Sequence, residues 1–332
     1  MLDYDEQALV RHVTQHFDKV IVIINSSTVM QIGDLADNPD INAILWMGAP
    51  AYGIYSLGHI LNGTINPSGR TVQISARNML ANPVIYNFGH FAYTGELSGF
   101  HFVDYVEGIY VGYRFYETRF IDDDEYWQHV VFPFGFGLSY TTFDWELVNT
   151  THPAGSNISP DEIIELTVRV TNTGDVAGMD VVQVYSAPPW TPGGIEKSRV
   201  NLVGFAKTGN INPGASQDVI IEVPVRWMAS WDWNDANNNG FIGWELEEGI
   251  YYLQIQTDSR RLSSIEPIAV VSAGYLIEYD EVTGTRIQPL FDDVTLGLYT
   301  NLSRSDWEGT WPTAPVGLRT PSDEVVAAVR AV

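Results

Sequence analysis

The stretch Asp235-Ala236-Asn237-Asn238-Asn239-Gly240-Phe241-Ile242 sets side-chain oxygens at alternate positions, with a glycine where a sharp turn is needed and an apolar residue soon after. EF-hand-like loops hold calcium with that pattern and close it with a carboxylate near the twelfth position. Here the twelfth position is Leu246, flanked by Glu245 and Glu247, so the register departs from the pattern. Two readings stand: a structural calcium on Asp235, Asn237, Asn239 and Glu245, or an Asn-rich turn whose side chains mimic backbone turns. His12 and His16 lie four apart and could in principle share a zinc, but no Glu or third histidine is suitably placed. The absence of cysteine removes thiolate catalysis, disulfides and cysteine-ligated metals together. Tyr105, Tyr110, Tyr113, Phe115 and Tyr116 could offer stacking faces to a sugar ring, yet they alternate as in a strand and are expected to pack a core or domain interface. Glu107, Arg114, Glu117 and Arg119 are expected to pair with one another locally rather than to act in catalysis.

The elements that must carry these groups change character along the chain. Asp3 followed by Glu6 gives a capping-box-like start, and Leu9, Val13, His16 and Phe17 fall on one face of a helix expected over 5–17. Residues 20–24 (VIVII) and 41–46 (INAILW) read as strands buried on both faces, with a short helical stretch near 29–35 between them and another helix over 55–61. Residues 1–142 are therefore expected to form an α/β domain, a partial, mostly parallel sheet flanked by helices. Its last part, 81–140, is irregular and rich in aromatics and glycine, as functional or interface loops often are. Alternation then takes over at Ile164, Leu166, Val168 and Val170, at Val219, Ile221, Val223 and Val225, and at Tyr251, Leu253 and Ile255. Residues 143–258 read as an all-β sandwich, and 259–332 as an extended connector or tail.

With 332 residues, 45% apolar and 12% aromatic, the chain can bury the cores of roughly two domains. A net charge of −24 opposes binding to nucleic acid and to anionic membranes and favours neutral or cationic ligands. No apolar run approaches the about 20 residues of a membrane helix. The acidic first residues do not resemble an export signal, so the expected location is cytoplasmic.

Several segments, in order, carry a family resemblance: 46–53 (WMGAPAYG), 60–63 (ILNG), 65–70 (INPSGR), 107–114 (EGIYVGYR) and 134–140 (FGFGLSY). Together they resemble the second, α/β domain of family 3 glycoside hydrolases, the β-glucosidase family. The following 170–174 (VTNTG), 181–185 (VVQVY), 202–205 (LVGF) and 212–214 (NPG) are similar to the fibronectin type III-like domain that follows it.

The resemblance implies an O-glycosidase of retaining mechanism acting on terminal β-linked glucosyl or related residues, with no required cofactor. In that family a barrel brings an aspartate nucleophile, and some members add a glutamate acid/base from a loop upstream of the strand that 20–24 resembles. None of the 19 residues before Val20 resembles that loop, and the turn 48–53 (GAPAYG) lacks the glutamate found there in other members. Ser305-Asp306-Trp307 repeats the string around the family nucleophile, but no barrel strand precedes it, and 302–312 (LSRSDWEGTWP) instead resembles the connector of members with inverted domain order. The expectation is thus the non-barrel part of a β-glucosidase-like enzyme, with no catalytic residue in this chain and inactive alone. Its expected partners are a β-linked oligosaccharide or glucoside bound jointly with the barrel, and a second copy through an exposed sheet edge. Glu96 and Glu107, in the irregular region, are the carboxylates to suspect should an acid be found here. The alternative is a non-catalytic carbohydrate-binding or structural module.

Overall fold

The computed structural model describes residues 2–48, 54–87, 92–288, 300–313 and 318–330. The first helix, Tyr4–Thr14, begins on a reciprocal capping box: the Glu6 amide donates to Asp3 Oδ1 at 2.8 Å and the Asp3 amide to Glu6 Oε2 at 2.9 Å. It ends sooner than the periodicity suggests. Its inner face also differs from expectation, because Leu9 and Phe17 are exposed while Val10, with Leu2, packs on Ile24, Ile32 and Leu35. Strands Ile21–Ile24 and Ala43–Trp46 pair in parallel in a two-stranded sheet, joined by a crossover that contains the short helix Gly33–Ala36. Ile21, Ile23 and Trp46 remain exposed, so these apolar strands are not covered on both faces as their composition led us to expect. Helix Ile54–Leu61 follows and buries none of its residues.

A second core forms where loops were expected. Helices Tyr113–Arg119 and Asp123–His129 pack with the short antiparallel pair Ser75–Ala76 and Val130–Phe132. Tyr110, Phe115, Tyr116 and Tyr126 are essentially without exposure. Tyr110, Tyr113, Phe115 and Tyr116 therefore pack, the last three on a helix rather than a strand, whereas Tyr105 departs from the expectation and is 71% exposed. In the helix the buried positions run consecutively from Phe115 to Thr118, one broad stripe in place of the alternation a strand would show.

Two sheets then face each other. One has Ser216–Pro224, Ile163–Asn172 and Phe143–Thr150, all antiparallel; the other runs Asn201–Lys207, Val181–Ala187, Gly249–Gln256, Ile268–Ser272, Asn157–Ile158. Ile164, Leu166, Val168 and Val170 meet Val182, Val184, Tyr251, Leu253 and Ile255 across the gap. Each of these is at most 1% exposed, the alternation of a sandwich with one face buried. This sheet continues beyond Asp258, where a tail was expected to begin: Ile268–Ser272 is an inner strand, and Tyr275–Ile277 joins Gly243–Leu246 and Ser230–Asp232 in a small third sheet. The run Ile268-Ala269-Val270-Val271 is apolar at every position, so it shows no alternation to read. Nor is the rest simply extended. Residues 300–313 fold back with Leu302 buried in the aromatic core, Leu318–Arg319 pairs in parallel with Ala92–Tyr93, and Asp323–Arg330 is helical. Among the described residues, no helix is long and apolar enough to cross a membrane.

Burial of this kind sets a gradient of local stability. Amide exchange should be slowest in 163–172, 181–187 and 249–256 and fastest in 4–24. Leu166→Ala should cost about 2–5 kcal/mol, whereas Leu9→Ala, on the exposed face, should change stability by less than about 0.5 kcal/mol. Equal protection of the first helix and the sandwich strands would contradict this picture.

Candidate functional site

Polar side chains crowd the seam where the α/β part meets the sandwich. Helix Tyr113–Arg119 turns Glu117 inward with no exposure. Tyr126 Oη and Ser259 Oγ donate to its Oε1 at 2.6 and 2.7 Å, and Arg260 Nη1 lies 3.4 Å from its Oε2. Ser259 and Arg260 directly follow the strand Gly249–Gln256, so the sandwich itself reaches across. Arg260 donates to the carbonyls of Phe120 at 3.1 Å and Ile121 at 2.8 Å, to Asp123 Oδ1 from Nε at 2.9 Å, and lies 4.2 Å over the Tyr126 ring. Buried Asp258 fixes this turn by accepting the amides of Arg260 and Arg261. Burial pushes the Glu117 carboxyl up to about 7, against the downward pull of the two hydroxyl donors and Arg260; burial and the neighbouring Glu117 likewise raise the Tyr126 phenol.

Two further clasps flank it. Asn66 accepts from the Tyr140 amide at 2.8 Å and from Ser139 Oγ at 3.0 Å, and donates to the Ala177 carbonyl at 3.2 Å. Arg70 bridges the Gly137 carbonyl and Asp180, which also accepts from Trp145 Nε1. Gln183 donates to the Gly135 carbonyl. Gly135 has φ +80°, which favours glycine, and a Cβ there would also displace the Gln183 side chain that donates to its carbonyl. On the other flank Glu196 accepts from Tyr110 Oη, Ser303 Oγ and the Arg304 amide, while Arg304 lies 4.3 Å over Trp190 and Trp307 packs against Tyr110.

The carboxylates singled out for catalysis stand elsewhere. Asp306 is exposed in a turn, where its Oδ1 accepts the Gly309 amide at 2.9 Å. Glu96 is exposed and ion-paired with Arg330 at 2.7 Å; Glu107 is buried. Glu117 does not pair locally, since its cation is Arg260, 143 positions away. The concave surface beside the seam is lined by Asp122, Asp123, Trp127, Arg199, Gln256 and Arg261; of its two carboxylates, Asp123 is held by Arg260 and Asp122 accepts the Glu125 amide. The His12 and His16 rings lie 4.3 Å apart, tilted by 36°, with His16 Nδ1 against the His12 carbonyl.

The Asn-rich loop is more ordered than a plain turn. Asn237 and Asn239 both donate to Glu245 Oε2, at 2.9 and 2.7 Å, and Asp235 Oδ1 accepts the Gly240 amide at 3.0 Å. Three of the four expected residues thus converge, and Asp235 braces the loop. Leu246, the nominal twelfth position, is in the sandwich core, and Glu247 pairs with Lys197. Among the described residues, no three His, Cys, Asp or Glu side chains converge to hold a metal.

Comparison with known proteins places these observations. Residues 1–140 match the Glycosyl hydrolase family 3 C-terminal domain, and residues 180–259 the Fibronectin type III-like domain. The chain is 32% identical over 287 residues to Beta-glucosidase A of Butyrivibrio fibrisolvens, covering 82% of this chain and 32% of that protein. It is 28% identical over 330 residues to an exo-alpha-(1->6)-L-arabinopyranosidase of Bifidobacterium longum, covering 98% and 35%. The structure of beta-glucosidase 3B from Thermotoga neapolitana in complex with alpha-D-glucose superposes with a TM-score of 0.66 at 31% identity, over 82% of this chain and 34% of that one. The chain spans about a quarter to a third of the length of the curated relatives it matches.

The buried Glu117 gives the seam a pH signature. Its pKa is raised on folding from 4.5 to about 7, so its stabilising contribution is complete below 4.5 and is lost as the pH rises through 7. Glu117→Gln keeps the shape and cannot ionise. The difference in urea midpoint between variant and parent should therefore move in the variant's favour between pH 4.5 and pH 7, and a difference independent of pH would contradict the assignment.

Proposed function

Because this chain carries the C-terminal domain of glycosyl hydrolase family 3 followed by a fibronectin type III-like domain and is related to β-glucosidases, we propose that it is the non-barrel part of a β-glucosidase-like hydrolase. The observation that carries this reading is where the family-like segments fall. Residues 65–70, 107–114 and 134–140 supply Asn66, Arg70, Tyr110, Gly135 and Gly137, the groups that lock the α/β part to the sandwich. The chain is thus a two-domain platform rather than two beads. Ile21 and Ile23, registered with Ala43 and Leu45, leave an apolar face on the small parallel sheet, suited to a large partner surface or to a second copy.

Chemistry on this platform needs a donor of carboxylates. Retaining hydrolysis uses two carboxyl groups about 5–5.5 Å apart, one ionised as nucleophile and one protonated as acid. Asp306, Glu96 and Glu107 are respectively bound into a turn, ion-paired and buried, so the pair is assigned to a barrel on the same or another chain. The strap 300–313, pinned by Glu196, is read as the lead into that barrel, an order in which the platform comes first. The substrate is a neutral β-linked glucoside or oligosaccharide, in keeping with a relative seen with glucose and with the net charge of −24.

The purified chain should not turn over aryl β-glucosides above the uncatalysed rate, and Asp306→Ala should change nothing. Mixed with a separately expressed barrel domain of a β-glucosidase relative, it should associate through the face of Ile21 and Ile23. Turnover by the chain alone that Asp306→Ala abolishes would overturn the assignment, as would failure to associate with any such barrel.

A further inference from the structure

The Asn-rich loop holds one group that the fold does not satisfy. Glu245 is 3% exposed, its Oε2 is directed at the loop by the Asn237 and Asn239 amides, and its Oε1 is buried with no hydrogen-bond partner. Nearly every buried polar atom finds a partner, and an orphaned carboxylate oxygen is costlier than an orphaned neutral one. Buried Lys197, whose charge Glu245 feels, donates instead to Glu247 and the Pro189 carbonyl. Asp232, also buried, accepts the amides of Asn234 and Ala236 and adds negative charge beside Glu245.

We propose that residues 235–245 form a calcium site in which Glu245, Asn237 and Asn239 are ligands and Asp235 completes the loop. The donors are oxygen throughout, as a hard cation prefers, with no histidine or cysteine to favour zinc or copper. A half-turn of each Asn amide turns its oxygen toward the loop interior in place of the N–H now facing Glu245, at the loss of the backbone bonds from the Asn239 amide to Asn237 Oδ1 and from the Phe241 amide to Asn239 Oδ1, which the cation must offset. The carboxylate then exchanges two amide donors for a cation that also satisfies Oε1. Asp235 already holds the Gly240 amide through Oδ1, and its Oδ2 has no hydrogen bond among the described residues. The shift from the twelfth position to Glu245 follows from the strand: in Gly243–Leu246, Leu246 must point into the sandwich core, and Glu245 is the neighbour that faces the loop. Water completes the six to eight ligands that calcium takes. A site with so few carboxylates belongs to the weak regime, with a Kd of about 10⁻⁴–10⁻³ M.

The test uses the full chain. Chelator-treated protein titrated with calcium should bind one ion by calorimetry, and its melting temperature should rise with free calcium by mass action while magnesium at the same concentration does little. Terbium should replace calcium and show emission sensitised by the adjacent Trp244. Glu245→Gln, which preserves shape, and Asn239→Ala should each weaken affinity at least about tenfold, with circular dichroism confirming the fold. No heat, no terbium emission and no change in melting temperature in the unmodified chain, at calcium well above the expected Kd, would overturn the proposal. So would binding that both variants leave intact. In either case Glu245 is a buried carboxyl held by two amides in a structural turn.

Discussion

Arg260 reaching Glu117 across the seam is the contact on which the architecture turns. A carboxylate with no exposure needs a cation or a proton, and here the cation comes from the other domain, at the end of the strand Gly249–Gln256. Losing Arg260 removes the cation beside Glu117 together with the donors to Asp123 and to the Phe120 and Ile121 carbonyls, so several bonds across the seam fail at once. The pair is no isolated ornament: the carbonyls of Phe120 and Ile121, the Tyr126 ring and hydroxyl, and Ser259 are all fixed by the same two side chains. Asn66 and Arg70 on one side and Glu196 on the other extend it into a continuous polar interface.

That interface explains why the aromatic and glycine-rich stretch looks irregular in sequence yet is well packed. Residues 107–140 serve two masters, an aromatic core of their own and a seam with the sandwich, and neither imposes one period. Gly135 and Gly137 are there because the sandwich side chains and the Arg70 turn approach too closely for a Cβ. The strap 300–313 closes the same core from outside with Leu302 and Trp307, so a segment that looks like a linker is a structural staple.

How much was legible follows from the range of each interaction. The capping box at Asp3 and Glu6 and the alternation from Ile164 to Val170 are local, and both could be read directly. The Asn237, Asn239 and Glu245 cluster was visible as a motif, because loop ligands sit within one turn of each other. Strand Ile268–Ser272 was missed since its apolar run carries no period, and Glu117 was assigned a local partner because nothing near it in sequence announces Arg260. The family likeness was readable from motifs whose physical work, holding the seam, appears only in three dimensions.

The central claim is that the two domains behave as one body because of this seam, which is what a platform for a partner domain requires. Scanning calorimetry of the full chain measures it most directly. One transition whose van't Hoff and calorimetric enthalpies agree is expected, separating into two when Arg260 is replaced by alanine. Two independent transitions in the unmodified chain would contradict it.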